Sequence, residues 1–312
     1  MKILLIDFFP AEMRSQLEAL GQELVYQPDW TPSEILANVA DVEVLVMNSK
    51  IKADAKLLAA APQLKMICRA GVGMDHFDLP LLKEAGVLAV NTPGANAIPV
   101  AEQAIGMLLN LMHNVTRADQ EVRNFKWLRE QNRGTEIAGK TVGIIGFGHT
   151  GSNFGKMLAG FDCEVIAYDK YKSGFGTANV QEVELDEIFA RADILSLHIP
   201  LTDETKAWVN EAFFNRFEKP IWFLNLSRGP IVPLADLASV ISKGKVFAAG
   251  LDVLENEKFA TLNADQQTVL EKLFSDSRLL FTPHIGGWSH ESLKRINNQL
   301  VKEIVSYIQA KP

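Results

Sequence analysis

Short aliphatic runs recur along this chain, and a stretch with apolar positions at helical spacing follows nearly every one. One series consists of Ile3–Ile6, Val44–Met47, Lys65–Cys68 and Val87–Val90. A second consists of Thr141–Ile145, Glu164–Tyr168, Ile194–Leu197, Ile221–Leu224, Val246–Ala249 and Leu279–Phe281. Strands that alternate with helices form parallel sheets through right-handed crossovers. Ten strands are too many for one compact doubly wound sheet, and the series breaks between Val90 and Thr141. The pattern therefore predicts an α/β chain with two doubly wound parallel-sheet domains.

The break holds a long helical segment that opens near Asn96 and runs through Val100–Ala104 towards Arg123. A helix of that length reads as a domain connector or a surface that packs on another subunit. A final helix, Ser289–Gln309, has no evident place in the second series and is assigned to the first. The expected domains are residues 1–97 with 288–312, and residues 98–287. The chain would then cross twice between domains, forming a hinge over a ligand cleft.

Composition narrows the function. Of 312 residues, 47% are hydrophobic and 22% charged, and the net charge of −7 argues against a nucleic-acid partner, which requires a basic surface. The longest helix-like apolar stretch, Ala104–Met112, is too short to span a bilayer. The opening run turns acidic at Asp7, so it reads as a first strand and not a signal peptide. These features lead to an expected cytoplasmic location without membrane contact. Cys68 and Cys163 lie far apart in strand-like runs and read as buried thiols, with no metal site expected.

The candidate chemistry begins at the second series. Thr141–Ile145 runs directly into Gly146-Phe147-Gly148-His149-Thr150-Gly151, and a helical pattern follows to Ala159. In such a unit Gly146 makes the tight turn and Gly148 lets a pyrophosphate approach the backbone. Gly151 lets helix and strand pack closely, and the helix N-terminus faces the phosphates. The next strand ends at Asp169, 18 residues after Gly151, where a carboxylate can bond ribose hydroxyls. Strand, glycines, helix and acid in register predict a dinucleotide site. Asp169 selects NAD, since it would repel the 2′-phosphate of NADP, while Lys170 and Lys172 pull the other way.

Three further segments fall at predicted strand ends of this domain: Asn225–Gly229, Gly250–Glu257 and Thr282–Gly287. With Arg69–Asp75, Asn91–Asn96 and Val100–Glu102, they make the whole chain resemble the D-isomer-specific 2-hydroxyacid dehydrogenases. Within that family it is most similar to the D-3-phosphoglycerate dehydrogenase branch without its regulatory domain. The resemblance implies a flavodoxin-like substrate domain and a Rossmann NAD-binding domain. It also implies exchange of hydride between NAD and C2 of a small 2-hydroxy or 2-oxo acid.

By the same resemblance Arg228 grips the substrate carboxylate and polarises the C2 carbonyl, a task suited to a planar, permanently charged fork. His284 is the general acid in reduction and the base in oxidation, and Glu257 orients it and raises its pKa. The amides of Val72 and Gly73 hold the carboxylate, with Asn96 nearby. The implied cofactor contacts are Gly146, Gly148, His149, Thr150, Gly151, Asp169, His198, Pro200, Leu226, Ser227, Arg228, Asp252, His284 and Gly286. Taken singly, Arg228 also reads as a turn arginine, Glu257 as a solvated acid, and His198 as a packing residue.

The chain departs from the family pattern at several positions. Pro233 stands where the family usually has an Asp opening the next helix, which a first helical turn accommodates. Leu254 replaces a usual Phe, Lys258 a usual Pro, and Trp288 a usual small residue. The Arg-Ser-Arg stretch that binds substrate phosphate in the phosphoglycerate branch is here Asn48-Ser49-Lys50. Lys50 and a partner-derived Arg129, after Trp127, would make a weaker phosphate site. Otherwise the chain would be a glyoxylate or hydroxypyruvate reductase. A catalytically silent NAD-sensing protein is the rival of a different class. Formate dehydrogenase, which pairs the histidine with glutamine, is disfavoured by Glu257. A homodimer is implied, with the segment through Phe125–Arg129 reaching a neighbour's site.

Overall fold

The computed structural model describes residues 1–310. The chain divides into two compact units, Met1–Asn96 with the segment starting at Trp288, and Ala97–Gly287. In the first unit the strands are β1 (Lys2–Leu5), β2 (Glu23–Tyr26), β3 (Val44–Met47), β4 (Met66–Arg69) and β5 (Leu88–Val90). All pair in parallel, in the order β2-β1-β3-β4-β5. This is the flavodoxin-like order.

Alternate residues of each strand serve opposite faces of that sheet. Leu4, Leu45, Met47 and Ile67 pack with Ile35, Leu57 and Leu82 on one side. Ile3, Leu5, Val44, Val46 and Met66 face Met13 and Leu17 on the other, where Ile296, Leu300 and Ile304 of the last helix also pack. That helix, His290–Gln309, starts from a capping box in which the Ser289 side chain accepts the Ser292 N–H. β2 was not anticipated. It lies at the sheet edge with only partial burial, so its four residues carry little apolar signal.

The second unit holds β6 (Thr141–Ile145), β7 (Glu164–Tyr168), β8 (Gln181–Glu182), β9 (Ile194–Leu197), β10 (Ile221–Asn225), β11 (Val246–Leu251) and β12 (Leu279–Phe281). Their order is β12-β11-β10-β9-β6-β7-β8, parallel throughout. The chain runs outward from β6 through β7 and β8, then returns to β9 on the other side of β6. This reversal is the topological switch point at which ligands of open parallel sheets bind. The two-residue β8 was also not anticipated.

The expected continuous helix from Asn96 to Arg123 is two helices, Ala97–His113 and Val115–Arg123. Asn114 separates them with φ of 55°, the left-handed conformation that Asn tolerates better than most residues. The Asn110 side chain then accepts the Thr116 N–H at 2.9 Å and restarts the helix. The first helix packs Ala101, Ala104, Met107 and Leu108 against Val142, Ile144 and Phe154. The second buries no residue.

Candidate active site

The glycines after β6 are each explained by their surroundings. Gly146 has φ of +91°, and a Cβ there would meet the His198 carbonyl oxygen at 2.5 Å. A Cβ on Gly151 would fall 2.0 Å from the Gly146 carbonyl, so only glycine lets the helix His149–Met157 sit on the turn. Gly148, the N-cap of that helix, has nothing within 4 Å of its Cβ position. Two glycines thus serve packing and the third leaves open space before a helix N-terminus, the arrangement a dinucleotide pyrophosphate requires. His149 and Thr150 form the first turn of the helix.

Asp169 closes the same turn from β7. Its carboxylate accepts the Phe147 N–H at 2.8 Å and the Tyr171 N–H at 2.9 Å, joining the glycine turn to the end of the strand. His198 approaches from β9 with its backbone. Its desolvated imidazole is pushed down to about 3 and stays neutral, with Nε2 2.9 Å from Ser196 Oγ and the ring 5.2 Å from Phe154. Pro200 lies just beyond, its carbonyl bonded to Thr205 Oγ1 at 2.7 Å.

The loops after β10, β11 and β12 bring Arg228, Glu257 and His284 into one electrostatic group. Asn225, 1% exposed, organises the first loop: its Oδ1 accepts from the N–H and Oγ of Ser227, and its Nδ2 donates to the Arg228 carbonyl at 3.1 Å. Leu226 is buried beside it. Arg228 Nη1 donates to the Ser227 carbonyl at 2.7 Å. A Cβ on Gly229 would meet the Leu254 carbonyl at 1.8 Å, so the first two loops lie in direct backbone contact.

Asp252, 2% exposed, organises the third loop. Its carboxylate accepts from Thr282 Oγ1 at 2.5 Å, the Ile285 N–H at 2.9 Å and the Gly286 N–H at 2.8 Å. His284 is held between them in the left-handed region, with φ of 56°, and its N–H donates to the carbonyls of Asp252 and Thr282. That conformation costs a non-glycine residue roughly 1–3 kcal/mol, offset here by the surrounding bonds. His284 Nδ1 lies 3.0 Å from each Glu257 oxygen. The Glu257 bond raises the His284 pKa above its ordinary 6.5, against partial burial and the charge of Arg228. Partial burial pushes Glu257 up, but the hydrogen bond and charge of His284 outweigh it and leave the carboxyl below its ordinary range. Both shifts describe one pair that favours imidazolium beside carboxylate.

In the first unit, the turn after β4 and the segment after β5 meet. Asn91 Nδ2 donates to the Val72 carbonyl at 2.6 Å, and the Thr92 N–H to that of Gly71 at 3.1 Å. Val72, Gly73 and Asn96 are half-buried there. Lys50 sits after β3, where its Nζ donates to the Ile6 carbonyl at 2.5 Å and also to that of Pro28. Arg129 stands in the other unit as the exposed N-cap of a short 3-10 turn, Glu130–Asn132.

The D-isomer specific 2-hydroxyacid dehydrogenase family, by its NAD-binding domain, matches residues 105–286. The chain belongs to that family. A hydroxypyruvate reductase of Thermotoga maritima is 36% identical over 87% of this chain and 86% of its own. A D-3-phosphoglycerate dehydrogenase of Mycobacterium bovis is 35% identical over 93% of this chain, which spans only 54% of that longer protein. Among solved structures, a D-lactate dehydrogenase of Aquifex aeolicus, complexed with NAD and lactic acid, superimposes with a TM-score of 0.88. Its identity is 26%, covering 99% of this chain and 96% of that one.

Family membership makes NAD the cofactor of this dehydrogenase, and the expected α/β class with two parallel sheets holds. Among the described residues no helix is long and apolar enough to cross a membrane. Some residues that shape the site were not singled out from the sequence. Asn225 ties its own loop and Thr282 joins its loop to Asp252, and neither carries a charge to draw notice. Glu255, within the Gly250–Glu257 segment, did not stand out either. In the structure its Oε2 accepts the Leu234 N–H at 3.1 Å, capping the helix Leu234–Ser242, whose N-cap Pro233 offers no side-chain bond.

Proposed function

We propose that His284, Glu257 and Arg228 perform the acid–base chemistry of an NAD-dependent D-2-hydroxyacid dehydrogenase, acting on a small unphosphorylated 2-oxo acid such as hydroxypyruvate or glyoxylate. The observation that carries the chemistry is the Nδ1–Glu257 pair, which orients the imidazole and leaves Nε2 to exchange a proton with substrate. The glycine turn, the helix N-terminus at His149 and Asp169 would hold the cofactor. When bound, NADH supplies the hydride to C2. As charge develops on the C2 oxygen, His284 gives it the proton, and in oxidation the neutral ring takes that proton back. Glu257 keeps the ring upright and stabilises its charged form. Arg228 offers fixed positive charge to the carboxylate and the C2 oxygen. The amides of Val72 and Gly73, with Asn96, would hold the carboxylate, as the resemblance implies.

The choice of an unphosphorylated acid rests on Lys50. Its ammonium already gives two of its three donors to backbone carbonyls, leaving one for a phosphate. The neighbouring Asp7 carboxylate, bonded to the Asn48 N–H at 2.6 Å, adds repulsion. The test is NADH consumption with glyoxylate, hydroxypyruvate, pyruvate, 2-oxoglutarate and 3-phosphohydroxypyruvate. We expect hydroxypyruvate or glyoxylate to give the highest kcat/KM. A preference for the phosphorylated acid would defeat the reading of Lys50. Tight NADH binding with no turnover of any acid would support an NAD-sensing protein instead.

We also propose a homodimer. The helix Val115–Arg123 buries nothing, and beyond it Phe125 is 100% and Trp127 78% exposed. Large apolar side chains on a projecting segment fit a second copy of the chain better than water. A cytoplasmic location accords with the unpaired thiols Cys68 and Cys163.

A further inference from the structure

Two lysines follow Asp169, and in a Rossmann unit a basic group there accommodates the 2′-phosphate of NADP. Both are engaged in this structure. Lys172 Nζ donates to the Phe147 carbonyl of the glycine turn at 3.2 Å. Lys170 Nζ donates to Glu204 Oε2 at 2.6 Å, reaching across to the turn that follows β9, 34 residues further on. Tyr171 Oη donates to the same Glu204 oxygen at 2.5 Å, and Lys170 Nζ stands 5.3 Å from the centre of the Tyr171 ring.

We propose that Glu204 is a specificity-determining residue for the cofactor: it withholds Lys170 from a 2′-phosphate and adds negative charge at the end of β7. A 2′-phosphorylated nucleotide therefore meets the Asp169 carboxylate with Lys170 already paired, leaving only Lys172, held at the Phe147 carbonyl, as a nearby cation. The Glu204 bond raises the Lys170 pKa, and the Lys170 bond lowers that of Glu204, so both are charged at neutral pH. The pair is solvent-exposed, 56% at Lys170 and 58% at Glu204, which limits its strength. An effect of about two- to fivefold on binding is the scale for such a pair.

The inference rests on the reading that Asp169 holds the adenine ribose, and the experiment separates the two. Calorimetric titration of the protein with 5′-AMP and with 2′,5′-ADP needs no turnover. The proteins are wild type, Glu204→Gln, Lys170→Met and the double variant. We expect wild type to favour 5′-AMP. Glu204→Gln should tighten 2′,5′-ADP by about two- to fivefold, leave 5′-AMP unchanged, and lose the gain when Lys170→Met is added. Equal 2′,5′-ADP binding in wild type and Glu204→Gln overturns the proposal. So does the same gain on the Lys170→Met background, since Lys170 would then not be the group released. Wild type that binds neither nucleotide removes the Asp169 reading itself, and the role of Glu204 with it.

Discussion

Both carboxylate oxygens of Glu257 lie 3.0 Å from Nδ1 of His284, so the orienting acid addresses one ring nitrogen from two positions. This pairing has a definite pH signature. The His284 pKa is raised, so the imidazolium persists above the ordinary 6.5. Keto-acid reduction needs that form and declines as pH rises through the raised value; hydroxy-acid oxidation needs the neutral ring and appears over the same range. Glu257→Gln removes the main cause of the shift and should move both limbs to lower pH. His284→Ala should slow the chemical step roughly 100- to 10,000-fold while NADH affinity changes little. Stopped-flow kinetics and equilibrium fluorescence check the two halves, and unmoved pH profiles in Glu257→Gln would refute the pair.

Asp252 should act through His284. Removing a buried acceptor of three hydrogen bonds in Asp252→Ala leaves the Ile285 and Gly286 N–H groups without their partner. We expect a loss of about 1.5–3 kcal/mol in urea unfolding. We also expect a fall in kcat larger than any change in substrate KM, because the loop no longer holds His284 at its left-handed φ. A variant with wild-type stability and kcat would show that the carboxylate does not organise the loop.

Gly148 and Gly151 should separate folding from cofactor binding. Gly148→Ala meets open space and should keep the thermal midpoint, yet weaken NAD by filling the approach to the backbone. Gly151→Ala drives a methyl into the Gly146 carbonyl and should lower the midpoint or prevent folding. Thermal unfolding monitored with and without NAD distinguishes them. Equal destabilisation by both substitutions contradicts the assignment.

Sedimentation velocity at micromolar concentration should give twice the chain mass of 34.5 kDa. Trp127→Ser should shift the protein towards monomer without lowering its unfolding midpoint in dilute solution, since Trp127 is 78% exposed in the chain. A wild-type monomer would leave Phe125 and Trp127 without the partner proposed for them.

Much of this was legible in the sequence because buried parallel strands are written as short aliphatic runs. Val44–Met47, Thr141–Ile145, Glu164–Tyr168 and Ile194–Leu197 were placed to the residue for that reason. The edge strands Glu23–Tyr26 and Gln181–Glu182 were not, because an edge buries too little to leave a pattern. The break at Asn114 was missed because apolar spacing continues past it, and a left-handed residue shows no periodicity of its own. At the site, charged or cyclic side chains flanked by glycine or proline stood out. Thr282 and Glu255 did not, because they bond partners far away in sequence, and Asn225 did not, because a neutral side chain that ties its own loop leaves no pattern.

The cap that Glu255 supplies to Leu234 couples two positions that a reader of sequences would treat as independent. An aspartate at 233 would occupy the N-cap, from which a side chain reaches the N2 or N3 N–H and not the Leu234 N–H that Glu255 serves. Pro233→Asp should therefore be tolerated with Glu255 in place. Leu234 and Glu255, 21 residues apart in sequence, thus form a single cap, and a change at 255 is felt at the start of a helix whose own first residues do not protect it.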